Sequence, residues 1–222
     1  MHHYFKGVAR QYRIHFSRYS FWSSVLASFV TFCAGVTVNS YAIIYATEKA
    51  SNPVTDVVLS NIPVFNVDGL FVWGIVLLII FITAVLLLNP KCIPFSLYSL
   101  GLFFAIRAMF ISLTHVGPFP TQTAVDFTSN VGLLLSKIFL TGDDLFFSAH
   151  TGAPFLMALL FWQSKLLRYI FLASSVFFGA IALLGHIHYS IDVVSAFFIT
   201  FSIYNIALWL FPKEHMLFLS KE

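Results

Sequence analysis

Three ionisable side chains stand out in otherwise apolar surroundings: His150, His188 and Asp192. His188 and Asp192 are spaced i, i+4, which on a helix puts both on one face. An aspartate there can accept the Nδ1–H of the imidazole. That fixes the tautomer, leaves a lone pair on Nε2 and stabilises positive charge on the ring. A histidine so prepared can act as a general base or a nucleophile. The bland alternative is a polar pair that satisfies itself at a membrane edge, but ionisable residues inside a membrane domain are functional candidates by default. His150 follows Ser148-Ala149, small residues that permit close approach of a ligand to the backbone. Its bland alternative is an interfacial histidine facing lipid headgroups. Arg107 either snorkels outward or meets an anion. No acid lies within four residues of it, and a bound phosphate would supply the charge. A metal site is the rival use of His150, His186, His188, Asp144 and Asp192, but no HExxH or comparable spacing supports it.

The elements that must carry these residues are membrane helices. The chain is 59% hydrophobic and only 9% charged, with a mean hydropathy of +0.89. A soluble domain would be about 25% charged. An integral membrane protein of one domain follows, and its 27 phenylalanines fit lipid-facing surface. The 12 basic residues are spread as a topology signal, so nucleic acid is not implied. Cys33 and Cys92 show no disulfide or metal spacing. The first apolar run is too long for a signal-peptide core and lacks a small-residue cleavage pattern, so it should remain as the first membrane helix.

About 20 apolar residues cross a bilayer. Six spans are expected: 21–46, 70–88, 95–113, 146–162, 169–184 and 187–211. Residues 129–140 are too short to span and contain Lys137, so they read as a surface-lying or re-entrant helix before the fourth span. Residues 1–20 place Lys6, Arg10, Arg13 and Arg18 on one helical face and Val8, Tyr12, Phe16 and Tyr19 on another. Either a short interfacial helix on an anionic leaflet or a solvated basic tail fits. The organisation is thus all-α: a basic N-terminal segment (1–20), a six-helix membrane domain (21–211) and a tail (212–222).

Alternate loops differ in charge. One set holds Lys6, Arg10, Arg13, Arg18, Lys91, Lys165, Arg168, Lys213 and Lys221, whereas the other holds Lys49 and Lys137. The positive-inside rule then puts both termini in the cytoplasm. His150 and His188 each start a span that runs inward from the outer face. Helix N-termini carry partial positive charge and free N–H groups, which suit phosphate. Arg107 lies about two turns below the outer end of its span, at a depth similar to Asp192. Two histidines, a carboxylate, an arginine and two helix N-termini together make a phosphoryl-transfer site.

These residues resemble a known family. Asp144-x5-His150-Thr151 and His188-Tyr189-Ser190-Ile191-Asp192-Val193 resemble the last two motifs of the sphingomyelin synthases, a branch of the type 2 phosphatidic acid phosphatase superfamily. Arg107-x6-Thr114 resembles their second motif, and Pro53-Val54-Thr55-Asp56 their first. The resemblance runs over about residues 53–195. It implies six membrane helices, an outward-facing site and a triad of His150, His188 and Asp192. It also implies the roles: His188, supported by Asp192, attacks phosphorus, while His150 protonates the departing diacylglycerol oxygen and then activates the acceptor hydroxyl. Ala149 replaces a glycine of the family pattern, and Gly142-Asp143 stands where Cys-Gly is usual. Ordinary phosphatases of the superfamily carry a Lys-x6-Arg-Pro motif and a Ser-Arg pair upstream of the last histidine, and this chain has neither.

The function expected is a membrane phospholipid phosphotransferase. It would move a phosphorylated headgroup from a phospholipid donor to a lipid alcohol, or to water, through a phosphohistidine. The residues expected on the substrate are Arg107, Asp144, Ser148 and His186. No cofactor is implied. One evident permanent cation matches a phosphodiester better than a phosphomonoester. Asp143 and Asp144 either attract an amine headgroup or are simply solvated. The alternatives are a lipid phosphatase and, outside enzymes, a lipid-binding or transport protein.

Overall fold

In a computed structural model of the chain, residues 2–122 and 145–220 are described, with side chains considered from Gly7 onward. The helix expected over 129–140, Lys137, Asp143 and Asp144 lie outside the described residues. Among the described residues there are eight α-helices and no strand. They are α1 (His2–Phe16), α2 (Tyr19–Glu48), α3 (Asp68–Leu88), α4 (Ile93–Leu113, entered through a short 3-10 turn, Pro90–Cys92), α5 (Ala149–Leu160), α6 (Lys165–Leu184), α7 (Ser190–Leu210) and α8 (Pro212–Leu219).

Five of these (α2, α3, α4, α6 and α7) are long and apolar enough to cross a membrane. At 1.5 Å per residue, 20 residues match a hydrocarbon core of about 30 Å. The fourth expected span is different. α5 has 12 residues, or about 18 Å. It does not begin at Phe146, because Phe146 and Phe147 have φ of 105° and 67°, a region that a right-handed helix of L-residues does not use. α5 is instead the buried axis of the bundle: Thr151, Leu156, Met157 and Ala158 have no exposed surface. Many large side chains on the surrounding helices face outward, Leu77, Phe198 and Trp209 among them. That surface is what lipid rather than water accommodates.

Small residues let the helices close on one another. A Cβ on Gly35 of α2 would strike the carbonyl of Gly101 on α4, and one on Gly101 would lie 2.8 Å from the Thr31 carbonyl oxygen. Such backbone approach replaces the hydrophobic driving force that is missing between helices in lipid. Gly152 brings α5 against α4 and α7, where a Cβ would sit 2.8 Å from both the Phe103 ring and Thr200 Oγ1.

One end of the bundle carries α1 and α8. Tyr12 Oη–H donates to the Leu87 carbonyl at 2.9 Å, and Phe16 packs edge-on against Phe21 and Trp22. Arg10, Arg13 and Arg18 are exposed. The segment expected as a tail folds back as α8: Phe218 packs on Phe95 and Phe161, Ser24 Oγ–H donates to Glu214, and Lys91 Nζ reaches the Ser220 carbonyl. The opposite end collects the C-termini of α2, α4 and α6, the N-termini of α3, α5 and α7, and the connections 49–67 and 114–122. Those connections pair their backbones: Ser51 N–H donates to His115 O at 2.8 Å, and Gly117 N–H to Asn52 O at 3.2 Å. Gly117 is required there, since a Cβ would collide with Ser51 O.

Candidate active site

The expected catalytic side chains meet at this second end. A backbone bond makes the junction: Ser148 N–H donates to the Asp192 carbonyl at 3.1 Å. It ties the start of α5 to the first turn of α7, so both helices set out from one point. Across it the His150 and His188 rings lie 6.1 Å apart, centroid to centroid, inclined at 49°. His150 is the second residue of α5, half-buried, with Phe71 of α3 against its ring at 4.5 Å. His188 and Asp192 are both 2% exposed.

His188 Nδ1 and Asp192 Oδ2 are 3.3 Å apart. The pairing expected from i, i+4 spacing is present, but not for the reason given above. The helix expected as the sixth span, α7, starts at Ser190, not Ile187, so His188 precedes it and shares no helical face with Asp192. The capping turn brings them together. Tyr189 is the N-cap, with ψ of 156°. Asp192, at the third helical position, reaches back so that Oδ2 accepts the Tyr189 N–H at 3.0 Å, as the acidic member of a capping box does. The same oxygen thereby meets His188.

The entry to this turn is set by the end of α6. Ile187 N–H donates to Ala182 O at 2.8 Å and His186 N–H to Leu183 O at 3.0 Å, the paired bonds of a Schellman motif. His186 occupies its left-handed position with φ of 52°, where glycine is the usual residue. His186 is 3% exposed. Its Nδ1 shares a 2.6 Å hydrogen bond with Thr121 Oγ1, and Phe119 stands edge-on to its ring. His186, expected on the substrate, here holds the 117–121 connection against the turn that presents His188.

Arg107 is 1% exposed. Its Nε–H donates to the Phe147 carbonyl at 3.0 Å and its Nη1–H to Asn39 Oδ1 at 2.9 Å. The guanidinium therefore supports the left-handed turn that ends at Ser148 and delivers His150. Asn39 was not singled out in the sequence. A lone amide in the middle of an apolar span was the available signal, since such a group needs a partner.

The two helix N-termini expected to suit phosphate are not equivalent. At α7, Asp192 takes the Tyr189 N–H and Asp56 Oδ2 takes the Ser190 N–H at 2.7 Å, so carboxylates already occupy that end. At α5, Ser148 makes no side-chain capping bond, and its buried Oγ has no hydrogen-bond partner among the described residues.

Asp56 is buried at 6% exposure. Burial pushes its carboxyl up, but bonds from the Leu59, Ser190 and Val58 N–H groups and the Ser190 hydroxyl outweigh this and hold it below the usual carboxylate range. Tyr189, 2% exposed, donates its hydroxyl to Gly117 O at 2.9 Å and accepts the Val54 N–H at 3.2 Å. Among the described residues no three His, Cys, Asp or Glu side chains are grouped to hold a metal ion.

No curated protein sequence and no solved structure gives a match to this chain. Residues 142–209 match the family model described as PAP2 superfamily C-terminal, PAP2 being the type 2 phosphatidic acid phosphatases. That stretch holds His150, His188 and Asp192, the three side chains that meet across the α5–α7 junction. The match supports the PAP2 superfamily and, with it, a lipid enzyme of phosphatase or phosphotransferase type.

Proposed function

We propose that this protein is a membrane phospholipid phosphotransferase, sphingomyelin synthase-like, in which His188 carries the phosphoryl group. The observation that supports it most is the His188–Asp192 pair, buried and 3.3 Å apart, with the His150 ring 6.1 Å from that of His188. That separation is too wide for a direct ring-to-ring hydrogen bond, so the two rings act on a common group rather than on each other.

His188 donates Nδ1–H to Asp192 and keeps a lone pair on Nε2. Nε2 attacks the donor phosphorus; an N–P bond forms, and the P–O bond to diacylglycerol breaks. His150, protonated, gives its proton to the departing oxygen. It then takes the proton of an acceptor hydroxyl, whose oxygen displaces His188 from phosphorus. Asp192 offsets the positive charge on the phosphorylated ring. Each proton transfer contributes about 10²–10⁴-fold. The start of α5 meets the non-bridging oxygens, and Arg107 holds that start in place through the Phe147 carbonyl while adding positive charge behind it. Arg107 is the one permanent cation among the described residues at this junction, which suits a singly charged phosphodiester. The basic loops lie at the opposite end, so the positive-inside rule puts the site on the non-cytoplasmic side.

Reconstitution with defined phospholipids, with and without ceramide or diacylglycerol, followed by mass spectrometry of products, tests the reading. Headgroup transfer to an alcohol, or release of a phosphorylated headgroup with water, is expected. The family match keeps a second reading in play, a lipid phosphatase; inorganic phosphate from phosphatidate with no turnover of diesters would establish that one instead.

A further inference from the structure

Outside the three side chains assigned above, Asp56, in the connection between α2 and α3, accepts four hydrogen bonds at this end. Oδ1 accepts the N–H groups of Val58 at 2.8 Å and Leu59 at 3.0 Å. Oδ2 accepts the Ser190 N–H at 2.7 Å and the Ser190 Oγ–H at 2.8 Å. One carboxylate thus holds its own turn with one oxygen and the first residue of α7 with the other. The turn is independently anchored: Val54 N–H donates to the Tyr189 hydroxyl at 3.2 Å, and residues 51–52 pair with 115–117. Tyr189 and Ser190, the two residues that follow His188, are therefore both fixed from the 54–59 loop.

We infer that Asp56 is a positioning residue for the reaction, clamping the start of α7 so that Asp192 and His188 keep their register. This rests on the proposed phosphohistidine chemistry. Asp56 acts through Ser190: its four bonds go to Val58, Leu59 and Ser190. Four donors converge on two acceptor oxygens, a demand only a carboxylate meets. An asparagine offers a single acceptor oxygen and turns an NH2 toward one pair of donors. The clamp then loosens while the 51–59 connection keeps its other anchors. A displacement of about 1 Å at a reacting group costs on the order of 10²-fold in rate.

The test uses the full chain in phospholipid nanodiscs. Rates of adduct formation on the protein, KM and thermal midpoint are measured for wild type, Asp56→Asn, Ser190→Ala and His188→Ala. Asp56→Asn is expected to lower the adduct rate at saturating phospholipid by about 10²-fold with KM changed by less than about threefold. Ser190→Ala removes one of the four bonds and is expected to cost about fivefold, again in rate rather than KM. Wild-type rates in a folded Asp56→Asn overturn the inference, as does a loss that appears only as a lowered midpoint or a raised KM. If Asp56→Asn does not fold, Ser190→Ala decides: an unchanged rate overturns the inference, and a selective loss supports it. His188→Ala that still turns over phospholipid sinks the underlying chemistry. His188→Ala inactive beside a fully active Asp56→Asn sinks the positioning role alone.

Discussion

Asp192→Asn probes the arrangement most sharply, because Asp192 Oδ2 serves two donors at once: the His188 ring at 3.3 Å and the Tyr189 N–H at 3.0 Å. The amide oxygen can take the place of Oδ2, so the capping turn survives, but the negative charge is lost. Once His188 carries a phosphoryl group its ring is cationic, and the carboxylate lies about 4 Å from that charge. At an effective dielectric of about 20 such a pair is worth about 4 kcal/mol. Both groups are buried, so solvent screening does not discount it further. About 4 kcal/mol is about 10³-fold in rate. In the other rotamer the amide NH2 faces Nδ1 and favours the wrong tautomer, which adds to the loss. Rapid-quench measurement of adduct formation under single-turnover conditions reads this directly. A variant that forms the adduct within about tenfold of the wild-type rate would refute the assignment of Asp192 as the partner that sustains charge on His188.

Other expectations follow from the same geometry. His150→Ala should lower turnover of a natural phospholipid by about 10²–10⁴-fold, and much less for a nitrophenyl phosphodiester whose leaving group needs no proton; chromogenic and lipid assays run side by side check this. Asn39→Ala removes the acceptor of the Arg107 Nη1 bond and should destabilise the fold by about 1–3 kcal/mol, seen as a lower thermal midpoint. His186→Gly should be more stable than His186→Ala by about 1 kcal/mol, because both lose the Thr121 bond but only glycine relieves the left-handed φ; thermal unfolding of the pair decides. The Asp56 carboxyl, held below its ordinary value of 3.8, binds a proton less readily folded than unfolded. Its contribution to stability should be complete above about pH 4 and fall away as pH drops through the lower folded value. The difference in thermal midpoint between wild type and Asp56→Asn should therefore shrink only under acid conditions.

The apolar runs were legible because lipid imposes a length, and five of the six expected spans have the long apolar helices it requires. What sequence periodicity missed lies at helix ends. The helix in place of the fourth expected span starts three residues late because Arg107 and Asn39, from two distant helices, hold Phe147 in a left-handed turn; no local signal at Phe146-Phe147 announces that. The sixth expected span starts late because Tyr189 caps it, and a histidine rather than a glycine at the left-handed position after α6 hides the turn that precedes it. His188 and Asp192 were paired from an assumed helical face, whereas a capping turn joins them. Asp56 and Ser190 are 134 residues apart, so a clamp between them is visible only once the bundle is assembled. The fold-back of α8 was missed because Phe218 looks like any apolar residue in a short charged tail until Phe95 and Phe161 are seen beneath it.

The central claim is that His188 forms a covalent bond to phosphorus. Wild-type protein incubated with a single phospholipid, stopped at alkaline pH where phosphohistidine survives, and digested for mass spectrometry tests it most directly. The account predicts the headgroup phosphate mass on the peptide that carries His188, released by acid and absent in His188→Ala. Turnover without any such adduct, or an adduct on His150 or His186 instead, would contradict it.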